Sequence, residues 1–323
     1  MEKQRVGQVS EDELIRRFFA PIADDLSNDT AALEVPEQHL MLVSSDALME
    51  GIHFLRESPA RLVGQKVLRV NASDILADGG KPRWMTLSLA MPRDVELRWL
   101  AGFTEGLSQA LAETGIKLVG GDTTAAMGQI AITVTMIGTV PADRRVGRHG
   151  GGVGDWIGIT GDLGGAALGL DMVLGKHAEL EPLERYFWME RHFCPPFRGR
   201  FAQGIAAQGL VTAMMDLSDG LLCDLPRLCR ASGTGARVEL NRLPVSDEAR
   251  ALGLTPEDAA RSGEDYELLF TTHHDHWQEI EAIARWADTP VTRIGALVED
   301  AAVQFLMKGK PLKNELPTWK HFG

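Results

Sequence analysis

The side chains of this chain that could do chemistry are aspartates in apolar company. In the stretch VNASDILADGGKP, residues 70–82, Asn71, Asp74 and Asp78 fall at i, i+3 and i+7, and they share one face if the helical phase before them continues. That phase is set by Leu62, Val63, Val67 and Leu68, after a Ser58-Pro59 start. A carboxylate next to a core is rarely left unpaired, because an isolated buried charge is costly or is neutralised by a shift of its pKa. A divalent cation would compensate it. Taken singly, each acid has a simpler account: Asp78 opens a turn into Gly79-Gly80, and Asp74 caps a neighbouring segment.

Further acids argue for the cation. Asp46 follows the apolar run 40–43 in Ser44-Ser45-Asp46, Asp122 follows 116–119 in Gly120-Gly121-Asp122-Thr123-Thr124, and Asp216 and Asp219 follow 211–215 in Asp216-Leu217-Ser218-Asp219-Gly220. Strand exits are where α/β sheets bind ligands, so a small hydroxyl residue plus Asp recurring at such exits suggests one shared site. Carboxylates and hydroxyls are the hard oxygen donors that Mg²⁺ prefers.

The elements that must position these groups are read from periodicity. Ser10 to Glu13 is a capping box ahead of Leu14, Ile15, Phe18 and Phe19. Then come strand 40–45, helix 59–77, strand 84–90, helix 96–114, and strands 116–119 and 129–140, an α/β alternation. The long β-branched run 129–140 fits a sheet buried on both faces, or a subunit interface. Composition changes near Pro141 to RRVGRHGGGVGD, which places the boundary between an N-terminal domain, 1–140, and a C-terminal domain, 141–323. The second half continues with strand 155–160, a Gly-rich turn at 161–165 and an Ala/Leu-rich helix. This arrangement could cradle a phosphate on backbone N–H groups. Helix 197–209, strand 211–217, helix 220–232, strands 235–240 and 265–272, helix 275–287 and strands near 291–298 and 302–308 complete an α/β domain.

Composition excludes several classes. A chain of 323 residues with a net charge of −12 and no Lys/Arg-rich block is a poor general nucleic-acid binder. Hydrophobic content of 44% and charged content of 24% are those of a globular enzyme, not a disordered chain. The N-terminal residues lack a signal-peptide core, and no apolar run is long enough to span a membrane. Three cysteines without a CxxC pair fit a reduced, cytoplasmic protein. There is no Walker A lysine motif, no kinase glycine loop, no HExxH and no G-x-S-x-G elbow. Gly150–Gly154 precedes a strand instead of following one and reads as linker. His273, His274 and His276 read as a solvated loop, lacking an evident fourth ligand. His53, just beyond Asp46, would by itself be structural, though its acidic neighbours favour a site; Glu264, in Gly263-Glu264-Asp265-Tyr266-Glu267, reads either as part of a charged turn or as one of a set of acids entering an apolar strand and pointing into a cleft.

Together, SSDALMEGIHF, VNASDILADGGKP, GGDTT, GDWIGITG, MDLSDGL and SGEDYEL span residues 29 to 270 in an order that resembles the thiamine-monophosphate kinase family, within the aminoimidazole ribonucleotide synthetase-like superfamily. The resemblance implies two α/β domains and a homodimer whose N-terminal sheets pair across the interface. It implies ATP-dependent phosphorylation of thiamine monophosphate to thiamine diphosphate, with several Mg²⁺ ions. Carried over, the metal ligands would be Asp29, Ser44, Ser45, Asp46, Asp74, Asp122, Asp216 and Asp219. Gly121, Asp122, Arg148 and Ser218 would contact ATP, while His53, Glu264 and Trp319 would contact the thiamine phosphate. Asp74, Asp122 and Arg148 would form the catalytic set. Asn28-Asp29 stands where the family has paired aspartates. The alternatives are another ATP-dependent member of the superfamily, with a ribonucleotide amide as acceptor, and a non-catalytic nucleotide-binding homologue.

Overall fold

Four strands and two long helices make up most of the first part of the chain. The computed structural model describes residues 4–24, 26, 28 and 30–312. The chain divides into two units, residues 1–75 with 81–142 and residues 76–80 with 143–323.

In the first unit, a short helix α1 (Glu11–Leu14) is capped by Ser10, whose hydroxyl accepts the Glu13 N–H at 3.3 Å. Only half of the capping box forms, because the Glu13 carboxylate pairs with Arg16 instead. Strands β1 (His39–Met49), β2 (Lys81–Pro92), β3 (Lys117–Ala126) and β4 (Ala131–Pro141) form one sheet in the order β1-β4-β2-β3. The β2/β3 pair is parallel; the others are antiparallel. Alternate residues Ile132, Val134 and Met136 of β4 are fully buried while Thr133, Thr135 and Ile137 are half-buried, as the two-residue strand period requires. The run 129–140 is therefore a central strand with one fully buried face.

Helices α2 (Ala60–Ala77) and α3 (Leu97–Thr114) pack closely, and two glycines permit it. A Cβ on Gly106 would lie 1.8 Å from the Arg61 carbonyl oxygen, and one on Gly64 would lie 2.1 Å from that of Phe103. Helix α2 stops at Ala77, with Gly79 in the left-handed region (φ 74°). Asp78 therefore lies beyond the helix, not on the face of Asn71 and Asp74. Its carboxylate accepts from Arg145 Nε at 2.9 Å and Nη2 at 2.7 Å, and its carbonyl accepts the Val146 N–H at 3.1 Å. This contact gives Asp78 a role that its spacing did not disclose.

The second unit is built on seven strands: β5 (Trp156–Thr160), β6 (Ala213–Asp216), β7 (Gly235–Glu239), β8 (Leu268–Thr272), β9 (Val291–Val298), β10 (Val303–Met307) and β11 (Lys310–Pro311). Their order is β11-β10-β7-β9-β5-β8-β6. Helices α4 (Gly165–Val173), α5 (Pro182–Phe193), α6 (Gly199–Ala207), α7 (Leu221–Ser232), α8 (Asp247–Ala251), α9 (Pro256–Arg261) and α10 (Trp277–Trp286) connect them. Neighbouring strand residues feed opposite cores. Ala213, Met215 and Leu269 pack with Leu168, Leu221 and Leu225, whereas Met214, Leu268 and Phe270 pack with Phe201, Ile205 and Ile280. Burial on both faces explains the nearly unbroken apolar runs of these strands.

Two expectations are corrected here. Residues 150–154 are not a loose linker: the Gly151 N–H donates to Ser232 Oγ at 3.1 Å, the Gly152 N–H donates to Asp155 Oδ2 at 2.9 Å, and Met214 N–H donates to the Gly147 carbonyl at 2.9 Å. The Gly-rich turn before α4 is not an open phosphate cradle either. Its Gly164 and Ala166 N–H groups donate to the buried Asp265 carboxylate, at 2.7 and 3.0 Å. An internal carboxyl group has filled the helix N-terminus.

Candidate active site

In the first unit, the strand and helix periods bring four residues together. Ser44 and Asp46, two apart on β1, point to one face, and Asn71 and Asp74, three apart on α2, face them. The Ser44 hydroxyl donates to Asp74 Oδ2. The Asp46 N–H donates to Asn71 Oδ1 at 3.2 Å, and the fully buried Asn71 returns its amide to the Val67 carbonyl at 2.8 Å. Asn71 is thus a bracket: it fixes the strand against the helix so that two hard oxygen donors are presented side by side.

Ser45 and Asp122 are placed elsewhere. The Ser45 hydroxyl turns to the other face of β1 and donates to the Val134 carbonyl at 2.9 Å, so it does not join Ser44. Asp122 lies on β3, the opposite edge of the sheet from β1. In the register, Asp46 is level with Val134, Val134 with Leu87, and Leu87 with Gly121. Three strand spacings therefore separate Asp46 from the Asp122 edge, about 14 Å. Gly121 has a packing reason for its identity, since a Cβ there would meet the Leu87 carbonyl oxygen at 1.9 Å.

His53 follows β1 in a fixed tautomer. Its Nδ1 accepts the Met49 N–H at 3.0 Å, so a neutral ring carries its proton on Nε2. The buried Lys66 ammonium donates to the His53 carbonyl at 3.2 Å.

In the second unit, two motifs lie side by side. Asp216 ends β6 and is 3% exposed. In the turn after it, the Ser218 carbonyl accepts the Glu264 N–H at 2.8 Å and the Leu217 carbonyl accepts the Tyr266 N–H at 2.9 Å. The approach is close enough that a Cβ on Gly263 would lie 2.6 Å from the Ser218 carbonyl oxygen. Glu264 and Tyr266 both adopt positive φ, 67° and 49°, conformations that non-glycine residues keep only when their surroundings impose them. Asp219 donates its N–H to Asp224 Oδ2 at 3.0 Å, and its carboxylate receives Arg227 Nη1 at 2.6 Å. Arg227 also donates to Asp224 at 2.7 Å. Burial pushes Asp224 up to about 6, against the pull of the Asp219 N–H and of Arg227. Arg148 is exposed, and its carbonyl accepts the Ser232 hydroxyl at 3.1 Å.

The supporting groups Asn71, Asp224, Arg227, Asp265, Glu267 and Arg198 were not singled out by sequence reasoning, apart from Asn71 and the acids of the Glu264 motif. Glu267 is 1% exposed and accepts from Arg198 through Nε at 2.8 Å and Nη2 at 2.6 Å. Asp224 did leave a signal, an acid inside the apolar stripe of α7. Asp29 and Trp319 lie outside the described residues.

Among the described residues, three His, Cys, Asp or Glu donor atoms lie within 4.8 Å of one another only at His273, His274 and Asp275. These are exposed, with both imidazoles 3.2–3.3 Å from the Asp275 carboxylate, in line with a solvated loop. The described carboxylates of the expected magnesium set are not part of that trio. The oxygen donors of Ser44, Asp46 and Asp74 nevertheless fit Mg²⁺, which is commonly held by one or two carboxylates together with water and substrate phosphates.

Residues 27–140 match the family AIR synthase related protein, N-terminal domain, and residues 152–308 match AIR synthase related protein, C-terminal domain. The thiamine-monophosphate kinase of Escherichia coli (strain K12) is 34% identical over 321 residues, covering 96% of this chain and 97% of its own length. The crystal structure of thiamine-monophosphate kinase from Stenotrophomonas maltophilia K279a superposes with a TM-score of 0.82 at 31% identity, covering 94% of this chain and 98% of that one. AaThiL complexed with AMPPCP and TMP superposes with a TM-score of 0.78 at 32% identity over 99% of both chains. The chain belongs to the AIR synthase related proteins and, within them, to the thiamine-monophosphate kinase family.

Proposed function

We propose that this chain transfers the γ-phosphoryl group of ATP to the phosphate of thiamine monophosphate, releasing ADP and thiamine diphosphate. The observation that carries the reading is its full-length correspondence with a relative whose structure holds AMPPCP and TMP. An acceptor phosphate is already largely anionic near neutral pH, with a second pKa of about 6, so it needs no strong general base. One acceptor oxygen forms a bond to the γ-phosphorus while the bond to the β,γ-bridging oxygen breaks. The obstacle is repulsion between two polyanions. Mg²⁺, when bound, would neutralise phosphate charge and help align the reacting groups.

The protein's own groups have separate tasks. Ser44, Asp46 and Asp74 hold oxygen donors in fixed relative positions, and the family pattern makes Asp216 and Asp219 metal ligands too. Asp29 is a further ligand in the family pattern, while the Ser45 hydroxyl, committed to the Val134 carbonyl, is not part of the set. His53 offers an Nε2–H to an acceptor phosphate oxygen, while Glu264 and Trp319 take the thiamine portion. Gly121, Arg148 and Ser218 attend to ATP, and Arg148 adds charge stabilisation at the transferring group.

A homodimer is part of the proposal, and the protein is placed in the reducing cytosol. Among the described residues, β1 and β3 are the outer strands of the sheet, and β1 exposes Leu40, Met41 and Val43 to 41%, 47% and 60%. Pairing the β1 edge of one copy with the β3 edge of the other closes two four-stranded sheets around a twofold axis. It also sets one copy's Asp122 edge beside the other's Asp46 edge.

The test is an incubation of the purified protein with ATP, Mg²⁺ and thiamine monophosphate, with products identified by mass. Thiamine diphosphate and ADP in equal amounts are expected. ADP formed only with a purine precursor as acceptor would overturn the reading.

A further inference from the structure

Glu264 is held from behind by a residue with no role in any motif. His192, near the end of α5, is 2% exposed, and its Nδ1 lies 3.3 Å from Glu264 Oε2. The ring is wedged in place. A Cβ on Gly169 of α4 would lie 2.6 Å from His192 Cβ and 2.2 Å from the Trp188 carbonyl oxygen, so α4 and α5 touch where the imidazole leaves the helix. The ring also stands at 83° to that of Phe193, with centroids 4.8 Å apart. A side chain so confined has one position to offer its neighbour.

The backbone around Glu264 is as constrained as its partner. Glu264 and Tyr266 are both left-handed, and between them the buried Asp265 caps the N-terminus of α4 with two hydrogen bonds. Two residues further, Glu267 is fixed by Arg198 and by the Thr160 hydroxyl at 2.5 Å. Every side chain of this segment that points inward is tied to a neighbour. Glu264 keeps 28% of its side chain exposed, so it alone of the three acids is open to a ligand while being gripped from the inside. Strain kept at one acid, together with a buried group aimed at it, is the pattern of a binding carboxylate held in advance of its ligand.

We propose that His192 is the positioning residue for Glu264, and that the carboxylate it holds recognises the cationic heterocycle of the acceptor instead of its phosphate. The inference rests on the thiamine-phosphate reading above and deepens it. A carboxylate would repel a phosphate ester, whereas a permanently charged ring nitrogen in a sulfur heterocycle is a complementary partner. The α4–α5 hairpin thereby becomes the specificity element of this unit.

The experiment is a double-mutant cycle on the full-length protein with His192→Phe, Glu264→Gln and the pair. His192→Phe is expected to raise KM for thiamine monophosphate about tenfold, the loss of one close polar contact to a charged group. KM for ATP and kcat should stay within about twofold. In the Glu264→Gln background the His192 change should have little further effect, and His192→Gln, which retains a donor, should recover most of the loss. Unchanged KM for thiamine monophosphate in His192→Phe, a matching rise in KM for ATP, or additive effects in the cycle would overturn the proposal. If His192→Phe does not fold, the same cycle with His192→Gln and His192→Asn decides it: the longer amide should bind thiamine monophosphate more tightly, and equal binding overturns the proposal. Wild-type protein that fails to phosphorylate thiamine monophosphate would sink the functional reading instead, a result distinct from any of these.

Discussion

The Ser44 hydroxyl of β1 donates to the Asp74 carboxylate of α2, across 30 residues of sequence. This bond, with the Asn71 bracket one turn earlier, fixes the spacing between strand and helix at the place where oxygen donors are needed. Asp74→Asn should therefore lower kcat/KM by about a hundredfold or more, the scale of losing one electrostatic group from a preorganised site. Ser44→Ala, which leaves the carboxylate but loosens it, should cost about tenfold. Steady-state kinetics check both, and near-normal activity in Asp74→Asn would refute its assignment as a metal ligand. Gel filtration should show Asp74→Asn in the same oligomeric state as wild type, the proposed dimer.

Asp46 and Asp122 occupy opposite edges of one sheet, and only a second copy can bring those edges side by side. Asp46→Asn and Asp122→Asn should each be inactive when purified alone. Co-expressed, they should regain about a quarter of wild-type activity, because half of randomly assembled twofold dimers are mixed and each mixed dimer has one intact site. No recovery in the isolated mixed dimer would mean that Asp122 acts within its own copy.

Asp265 is fully buried, and desolvation pushes its carboxyl up to about 7 despite the two N–H groups it accepts. A raised carboxyl pKa means that the folded protein binds a proton that the unfolded chain has already lost above about pH 4. Its contribution therefore favours folding at low pH and is lost as pH rises towards 7, at up to about 1.4 kcal/mol per pH unit. Denaturant titrations at pH 5 and 7 should show a smaller decline in Asp265→Asn than in wild type. Equal slopes would exclude Asp265 as the source.

Gly106→Ala sets two effects against each other. Helix propensity favours alanine by about 1 kcal/mol. The new methyl would lie 1.8 Å from the Arg61 carbonyl oxygen, a clash with rigid backbone whose relief by helix displacement costs about 1–3 kcal/mol or more. Net destabilisation is expected, read as a lower denaturation midpoint. Gly115→Ala, which meets no atom within 4 Å but sits at φ 72°, should be milder.

Much of the fold was legible because its signals are local. Apolar runs bounded by Gly and Asp marked β1, β2, β4, β5 and β8, and helical spacing marked α2, α3, α7 and α10. Helix α5 was missed because its stripe is interrupted by charge: in PLERYFWMERHF only Trp188, His192 and Phe193 are buried. Asp78 would share the helical face only if the phase of α2 continued; the helix instead ends at Ala77 and Asp78 opens a turn into Gly79, the simpler of the two accounts that spacing left open.

By itself, the sequence determined which residues are candidates for the chemistry, since acids and hydroxyls at the ends of apolar runs are a matter of type and order. Only the tertiary structure decided which of them are neighbours. Hydrogen bonding between distant segments set Ser44 on Asp74, turned Ser45 away and filled the α4 N-terminus with Asp265. Strand order is a global outcome of pairing, with no counterpart in local spacing, and it alone put Asp122 on the far edge from Asp46.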